Sequence, residues 1–409
     1  MPWFVLSAVL VAALSMRGPI IAVTPVLPEI TADLGLTGAS AGMLTTAPVL
    51  MFAALTPLAA LLIRRAGAET ALLLSLCGVL AGTALRAIPG YAPMLAGMFV
   101  IGASITIGNV VIPVVIRRDV PPDRVATATA AYTATLNVGS LLTALGTVPL
   151  AELLGWSFAL LAWGMITVLG VVLWSAHILR RRRALRDLPA GDASRRAGAV
   201  SIDPQTLTGP VPVIVERRMT GTMRRPIVWL LLASFSAQSA VYYAMSTWLP
   251  TILLDTTSVD AASAGALASI FQGAAIIGAL MAPALMRVVG PVPSAVMMGG
   301  CFAVMVCGLL MNPSLAAVWA SFGAVAHAAG FVLIFTALVR QARSDSEAAT
   351  MSAVVQGGGY LFAATAAPAL GALHESSGGW EIPLLVLLAV AVFYGVALTT
   401  AMVKAFGRS

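Results

Sequence analysis

Apolar runs separated by short breaks rich in Pro, Gly or charge repeat along the whole chain. A helix needs about 20 apolar residues to cross the hydrocarbon core of a bilayer. About twelve runs reach that length, near residues 3–27, 39–63, 70–88, 92–116, 125–149, 156–178, 227–251, 262–286, 291–311, 315–339, 349–373 and 381–403. A single long hydrophilic stretch, 180–225, divides them six and six. This pattern predicts an all-α polytopic membrane protein with 12 transmembrane helices in two six-helix bundles. The expected division is an N-terminal bundle at 1–178, a cytoplasmic linker at 179–225 and a C-terminal bundle at 226–409. The first run begins at Met1-Pro2-Trp3-Phe4 with neither a basic segment nor a small-residue cleavage site, so it is expected to remain as a span rather than act as a signal peptide.

Composition narrows the class further. The chain is 59% hydrophobic and 10% charged over 409 residues, with a mean hydropathy of +0.97. Soluble domains carry about 25% charged residues, so the expected surroundings are a lipid bilayer. Charge this sparse excludes a disordered chain and a nucleic-acid partner, despite a net charge of +7. Cys77, Cys301 and Cys307 each lie in an apolar run, which leaves neither a disulfide framework nor a spaced zinc site, and no cofactor is expected.

The basic residues carry topological information instead, because cytoplasmic loops collect Lys and Arg. With even-numbered loops inside, the cytoplasmic set is Arg64, Arg65, Arg117, Arg118, Arg124, eleven arginines from Arg180 to Arg225, Arg287, Arg340, Arg343, Lys404 and Arg408, or about 21 of the 23. Arg86 alone falls in an outer loop, and Arg17 lies within a span. The expected arrangement is a multi-pass protein of the inner (plasma) membrane with both termini cytoplasmic.

The halves also repeat. Leu27-Pro28 followed by Ser40-Ala41-Gly42 recurs as Leu249-Pro250 followed by Ser263-Ala264-Gly265, and the same offset of roughly 222 pairs Arg64 with Arg287 and Arg118 with Arg340. Parallel repeats of six helices, related by an axis along the membrane normal, indicate two bundles with a site between them.

Twelve spans, the six-helix repeat and the basic central loop resemble the major facilitator superfamily over the whole chain. More specific stretches resemble its cyanate and 2-nitroimidazole transporter branch: Met16-Arg17-Gly18-Pro19, Gly108-Asn109-Val110-Val111-Ile112-Pro113 before Arg117-Arg118, Gln238-Ser239 with Tyr242-Tyr243 and Trp248-Leu249-Pro250, and Gly358-Gly359-Tyr360 with Pro368, Gly371, His374 and Gly378-Gly379-Trp380. Two stretches depart from superfamily patterns. The loop after span two reads Arg64-Arg65-Ala66-Gly67-Ala68-Glu69 where Asp-Arg-x-Gly-Arg-Arg is usual, and span five reads Leu136-Asn137-Val138-Gly139-Ser140-Leu141 in place of the Gly-Pro-x-x-Gly-Gly of drug/proton antiporters.

Arg17 is the residue most at odds with its surroundings. At 1.5 Å per residue it lies ~21 Å into span one, near the middle of a core about 30 Å thick. A guanidinium there costs at least ~2.5–3.5 kcal/mol on insertion scales unless it meets water or a partner. All sixteen acidic residues fall in loops or at span ends, so no carboxylate within a span can pair with it. The alternative is an arginine that locks helices together through carbonyls.

The resemblance implies that spans one, four, seven and ten line a central pathway. Asn109, Gln238 and His327 then lie ~12, ~18 and ~20 Å from the cytoplasmic ends of their spans, approaching the level of Arg17. The repeat offset sets Ser239 opposite Arg17, flanked by Gln238 and Tyr242. The candidate ligands are therefore Arg17, Asn109, Gln238, Ser239, Tyr242, His327, Tyr132, Gln356 and Tyr360, with Asn137 and Gln272 behind them. An equally open reading of His327 is a neutral histidine bonded to a neighbouring helix, and Asn109 also suits a bond between helices. Gly357-Gly358-Gly359 and Gly299-Gly300 suit close packing or bending.

A cationic fork among amide and phenol donors fits a small-molecule substrate that is anionic or planar and polar, since Arg offers bidentate hydrogen bonds in one plane. The expected function is an alternating-access secondary transporter for such a solute, cyanate- or nitroimidazole-like, working as a monomer. A drug/proton efflux antiporter and a non-transporting membrane sensor are the alternatives. No enzyme is expected: there is no helical zinc motif, nucleophile elbow or intramembrane carboxylate pair.

Overall fold

The computed structural model describes residues 2–120, 125–186, 223–343 and 345–407. Without water to solvate them, backbone N–H and C=O groups in a bilayer have to bond within their own segment, and the apolar runs accordingly become helices. They are α1 (Pro2–Ile21), α2 (Leu27–Leu34), α3 (Gly38–Ala66), α4 (Ala68–Arg86), α5 (Tyr91–Asp119), α6 (Val125–Leu154), α7 (Trp156–Ala162), α8 (Gly164–Arg186), α9 (Pro226–Thr256), α10 (Ala261–Val288), α11 (Pro291–Met311), α12 (Ala316–Gln341), α13 (Asp345–Ala363), α14 (Ala366–Ser377) and α15 (Glu381–Phe406). The greater part of the expected linker, 187–222 with Arg195, Arg196, Arg217 and Arg218, lies outside the described residues.

Among the described residues eleven segments are long and apolar enough to cross a membrane. The remaining crossing, expected at 349–373, is made by α13 and α14, which part at Ala364–Thr365. Pro368 explains the break: it has no N–H to give, and its ring crowds the carbonyl four residues back. The Thr365 amide turns to the Phe362 carbonyl at 3.1 Å instead. The glycines before it do not bend the chain, because α13 runs through Gly357-Gly358-Gly359. They bring α9 close: a Cβ on Gly358 would lie 2.9 Å from Leu232.

The repeat is present in three dimensions as well as in sequence. Trp156 at the start of α7 donates to Asp33 at 3.1 Å, and Trp380, just before α15, donates to Asp255 at 2.8 Å. Thr37 caps α3 and Asp260 caps α10 by accepting from the amides of Ser40 and Ser263. Gly67 and Gly290 turn α3 into α4 and α10 into α11 with φ of 80° and 93°, a backbone region open to Gly.

Two seams join the halves: α3 against α13 and α14, and α6 against α10. They differ in tightness. At Gly42 a Cβ would sit 2.6 Å from the Pro368 nitrogen, whereas at its repeat partner Gly265 it would sit 3.4 Å from a Val148 methyl. The halves are also bonded at the end of the molecule where α3 begins: the Gly38 amide donates to Glu375 of α14 at 3.1 Å, and the Thr45 hydroxyl meets that of Thr247 on α9 at 2.8 Å.

The opposite, arginine-rich end is held within each half. Glu69 forms ion pairs with Arg118, at 2.8 Å, and with Arg181. Arg225 donates to Glu347 at 2.8 Å and to the Gln341 carbonyl at 2.8 Å. Burial pushes the Glu347 carboxyl up, but the Arg343 amide and the Arg225 guanidinium outweigh that and hold it below its ordinary 4.5.

Candidate functional site

The two arginines outside the basic end sit in opposite settings. Arg86 was expected in an outer loop; instead it ends α4 fully enclosed. Its guanidinium donates to the Pro19 carbonyl near the end of α1 and to the Leu160 carbonyl near the end of α7, the latter at 3.2 Å. Both chains lose their regular helix just beyond, after Ile21 and at Trp163. The freed carbonyls at a helix C-terminus carry partial negative charge, so a buried cation between two such ends is compensated without a carboxylate.

Arg17, one turn from the end of α1, remains exposed although four helices surround it. Its Nη1 donates to Asn137 Oδ1 on α6 at 3.3 Å. No acidic side chain among the described residues pairs with it. Its electrostatic neighbours are the phenols of Tyr242 and Tyr243 on α9, Tyr360 on α13 and Tyr132 on α6, together with His327 on α12. An exposed guanidinium enclosed by residues of both halves faces an interior space rather than lipid.

That space has two chemically different walls. From the N-terminal half come amides and one phenol: Asn137, and Asn109 on α5, which is exposed and accepts from the Tyr132 hydroxyl at 3.5 Å. From the C-terminal half comes a continuous set of rings. Tyr360 meets Tyr243 at 6.3 Å and Phe235 at 5.2 Å, Tyr243 meets Tyr242 at 5.1 Å, and Tyr242 lies flat on His327 at 3.8 Å. Phe52 of α3 closes against Tyr360 from the other half at 6.2 Å.

The remaining candidates are placed less directly. Gln238 is fully buried and donates to the His327 carbonyl at 2.5 Å, so its amide joins α9 to α12. Ser239 is buried beside it. Tyr242 spends its hydroxyl on Gln272 Oε1 at 3.0 Å, and Gln272 in turn donates to Ser246 at 3.3 Å. Gln356 donates to Ser352 one turn earlier on α13 at 2.7 Å. Tyr243, which the sequence offered as an aromatic wall residue along with Tyr132, Tyr242, Trp248 and Tyr360, is part of this wall. Phe235 escaped the sequence reading, although its place two turns before Tyr242 along α9 carried the signal.

Residues 5–345 match the model of the Major Facilitator Superfamily. The chain is 31% identical over 404 residues to a 2-nitroimidazole transporter of Escherichia coli, covering 98% of this chain and 94% of that protein. It is 27% identical over 400 residues to the uncharacterized transporter YycB of Bacillus subtilis, covering 97% and 92%. Among solved structures, the nucleoside transporter NupG superposes with a TM-score of 0.78 at 10% identity, covering 97% of this chain and 99% of that one, a likeness of fold.

Proposed function

Because the chain belongs to the Major Facilitator Superfamily, and so is a membrane transporter rather than an enzyme, we propose that it moves a small planar solute with an anionic or strongly accepting edge. The observation that carries the reading is Arg17: exposed to the space between the halves, bonded to a neutral amide and ringed by phenols. Its free donors suit a nitro, carboxylate or cyanate group. The rings of Tyr242, Tyr243 and Tyr360 suit the flat face of the same molecule. A 2-nitroimidazole carries both features, and the 31% identical relative is named for that solute.

Transport follows if the halves rock about this site and open it to one side at a time. The bonded seam at the α3 end, with Gly38, Gly42 and Thr45 against α14 and α9, supports a state closed there. The arginine-rich end, which the positive-inside rule assigns to the cytoplasm of the inner membrane, is then the open side. The N-terminal bundle (1–178), the linker and the C-terminal bundle (226–409) are the moving parts in this scheme. Purified protein in liposomes should accumulate labelled 2-nitroimidazole by counterflow, with cyanate competing at the same site. Absence of both uptake and competition would overturn the solute class.

A further inference from the structure

Resting on that reading of the site, we propose that His327 is a specificity-determining residue that donates a hydrogen bond to the solute through Nε2–H, alongside Arg17, and does not carry a proton across the membrane.

Three observations converge on this role. First, the ring is fixed in plane. Tyr242 stacks on it at 3.8 Å with 13° between the planes, and Phe271 of α10 stacks behind Tyr242 at 5.7 Å. The Tyr242 hydroxyl is tied to Gln272, so the stack cannot swing without breaking that bond. The backbone beneath is held by Gln238 on the His327 carbonyl.

Second, the two ring nitrogens differ. Nδ1 is buried with no hydrogen-bond partner. Nε2 is not buried without a partner in that way, and Arg17 lies within electrostatic reach of the ring. Orphaned buried N–H groups are much rarer than orphaned acceptors, so the bare lone pair belongs on Nδ1 and the proton on Nε2. A histidine tautomer is set by what its other nitrogen meets.

Third, nothing nearby would compensate a second positive charge. Among the described residues Tyr242 of α9 stacks on the ring with Phe271 of α10 behind it, Arg17 of α1 lies within electrostatic reach, Gln238 of α9 bonds the backbone carbonyl, and Tyr394 of α15 lies against the next turn at Gly330. The acidic residues of the helices packed on α12, namely Asp255, Asp345, Glu347 and Glu381, all sit at helix ends. An imidazolium here would add an unpaired cation beside an existing one. Two donors and no base at one point select an acceptor edge such as a nitro or deprotonated group. A hydroxyl or ammonium presented there would find no acceptor.

The chain has only three histidines, His177, His327 and His374, so nitrogen NMR of 15N-histidine-labelled protein in nanodiscs reads the tautomer directly, with His327→Gln assigning the signal. From about pH 6 to 8 the expected spectrum is one neutral ring protonated at Nε2. An imidazolium, or a ring protonated at Nδ1, would overturn the proposal. Kinetics supply the second readout. His327→Leu should raise KM for 2-nitroimidazole about ten-fold with kcat little changed, while His327→Gln, which keeps an N–H near the Nε2 position, stays within about three-fold. An unchanged KM in the leucine variant, or equal losses in both, would contradict it. If the unaltered protein takes up no 2-nitroimidazole, the solute assignment fails, and the nitrogen spectrum still decides the state of His327.

Discussion

Arg17 and Arg86 are the same side chain placed inside the same half of the molecule, and they end in opposite conditions. Arg86 is sealed, with its two terminal nitrogens on carbonyls at two helix ends. Arg17 is open, with a bond to the Asn137 amide and the rest of its fork toward the interior space. A buried cation whose terminal nitrogens are taken by the protein's own carbonyls holds helices in place. One left unsaturated in an accessible space is available to something that arrives. What separates the two roles is therefore neither depth nor charge but how many acceptors the fold itself supplies.

The comparison breaks most visibly at Arg86. Arg86→Met removes the cation and leaves the Pro19 and Leu160 carbonyls unpaired, at about 1–3 kcal/mol for each orphaned group. Thermal unfolding in detergent should drop by several degrees and expression should fall. Any fraction that folds should keep its KM. Substituting the other arginine gives the reverse pattern. Arg17→Lys keeps the charge but loses the planar fork, so uptake should fall about ten-fold while the melting temperature holds.

Smaller effects test whether the interior space depends on unequal seams. Gly42→Ala pushes a methyl into the α14 backbone and should cost about 1–3 kcal/mol. Gly265→Ala meets Val148, Pro25 and the Ala144 carbonyl, all at 3.4 Å or beyond, and should stay within about 0.5 kcal/mol. Equal effects would mean that the seams are equivalent.

A third arginine gives the smallest effect. Arg225 is paired with a carboxylate at the basic end, an arrangement worth at most about 1 kcal/mol at a partly exposed site. Because the Glu347 carboxyl is held below its ordinary 4.5, its contribution is present above that value and is lost as pH falls through the lower folded one. Glu347→Gln should therefore lower the melting temperature slightly at neutral pH, and the difference should fade as the solution is acidified through the lowered folded value.

The helices and their repeat were legible because hydropathy acts locally: a run of about 20 apolar residues is read from the run itself. The break at Ala364–Thr365 was harder to see, since composition continues across it and only Pro368, one turn on, produces it. Arg17 stood out in the sequence because it is a lone charge inside a span. Arg86 did not, because it lies at the margin of its run and its partners, at Pro19 and Leu160, are distant in sequence. The same limit applies to Gln238. Its level in the membrane follows from helix rise, but whether its amide faces the interior space or the neighbouring His327 carbonyl depends on helix rotation, which packing decides.

The central claim is that Arg17 is the solute's anchor and not a structural element, and counterflow of 2-nitroimidazole by purified Arg17→Ala protein tests it most directly when its melting temperature is recorded on the same preparation. The account predicts a loss of about 100-fold or more in uptake, as expected when a charge-assisted bidentate contact is removed, with an unfolding temperature close to that of the unaltered protein. Uptake within about three-fold of the unaltered protein, or a collapse in stability matching that of Arg86→Met, would contradict it.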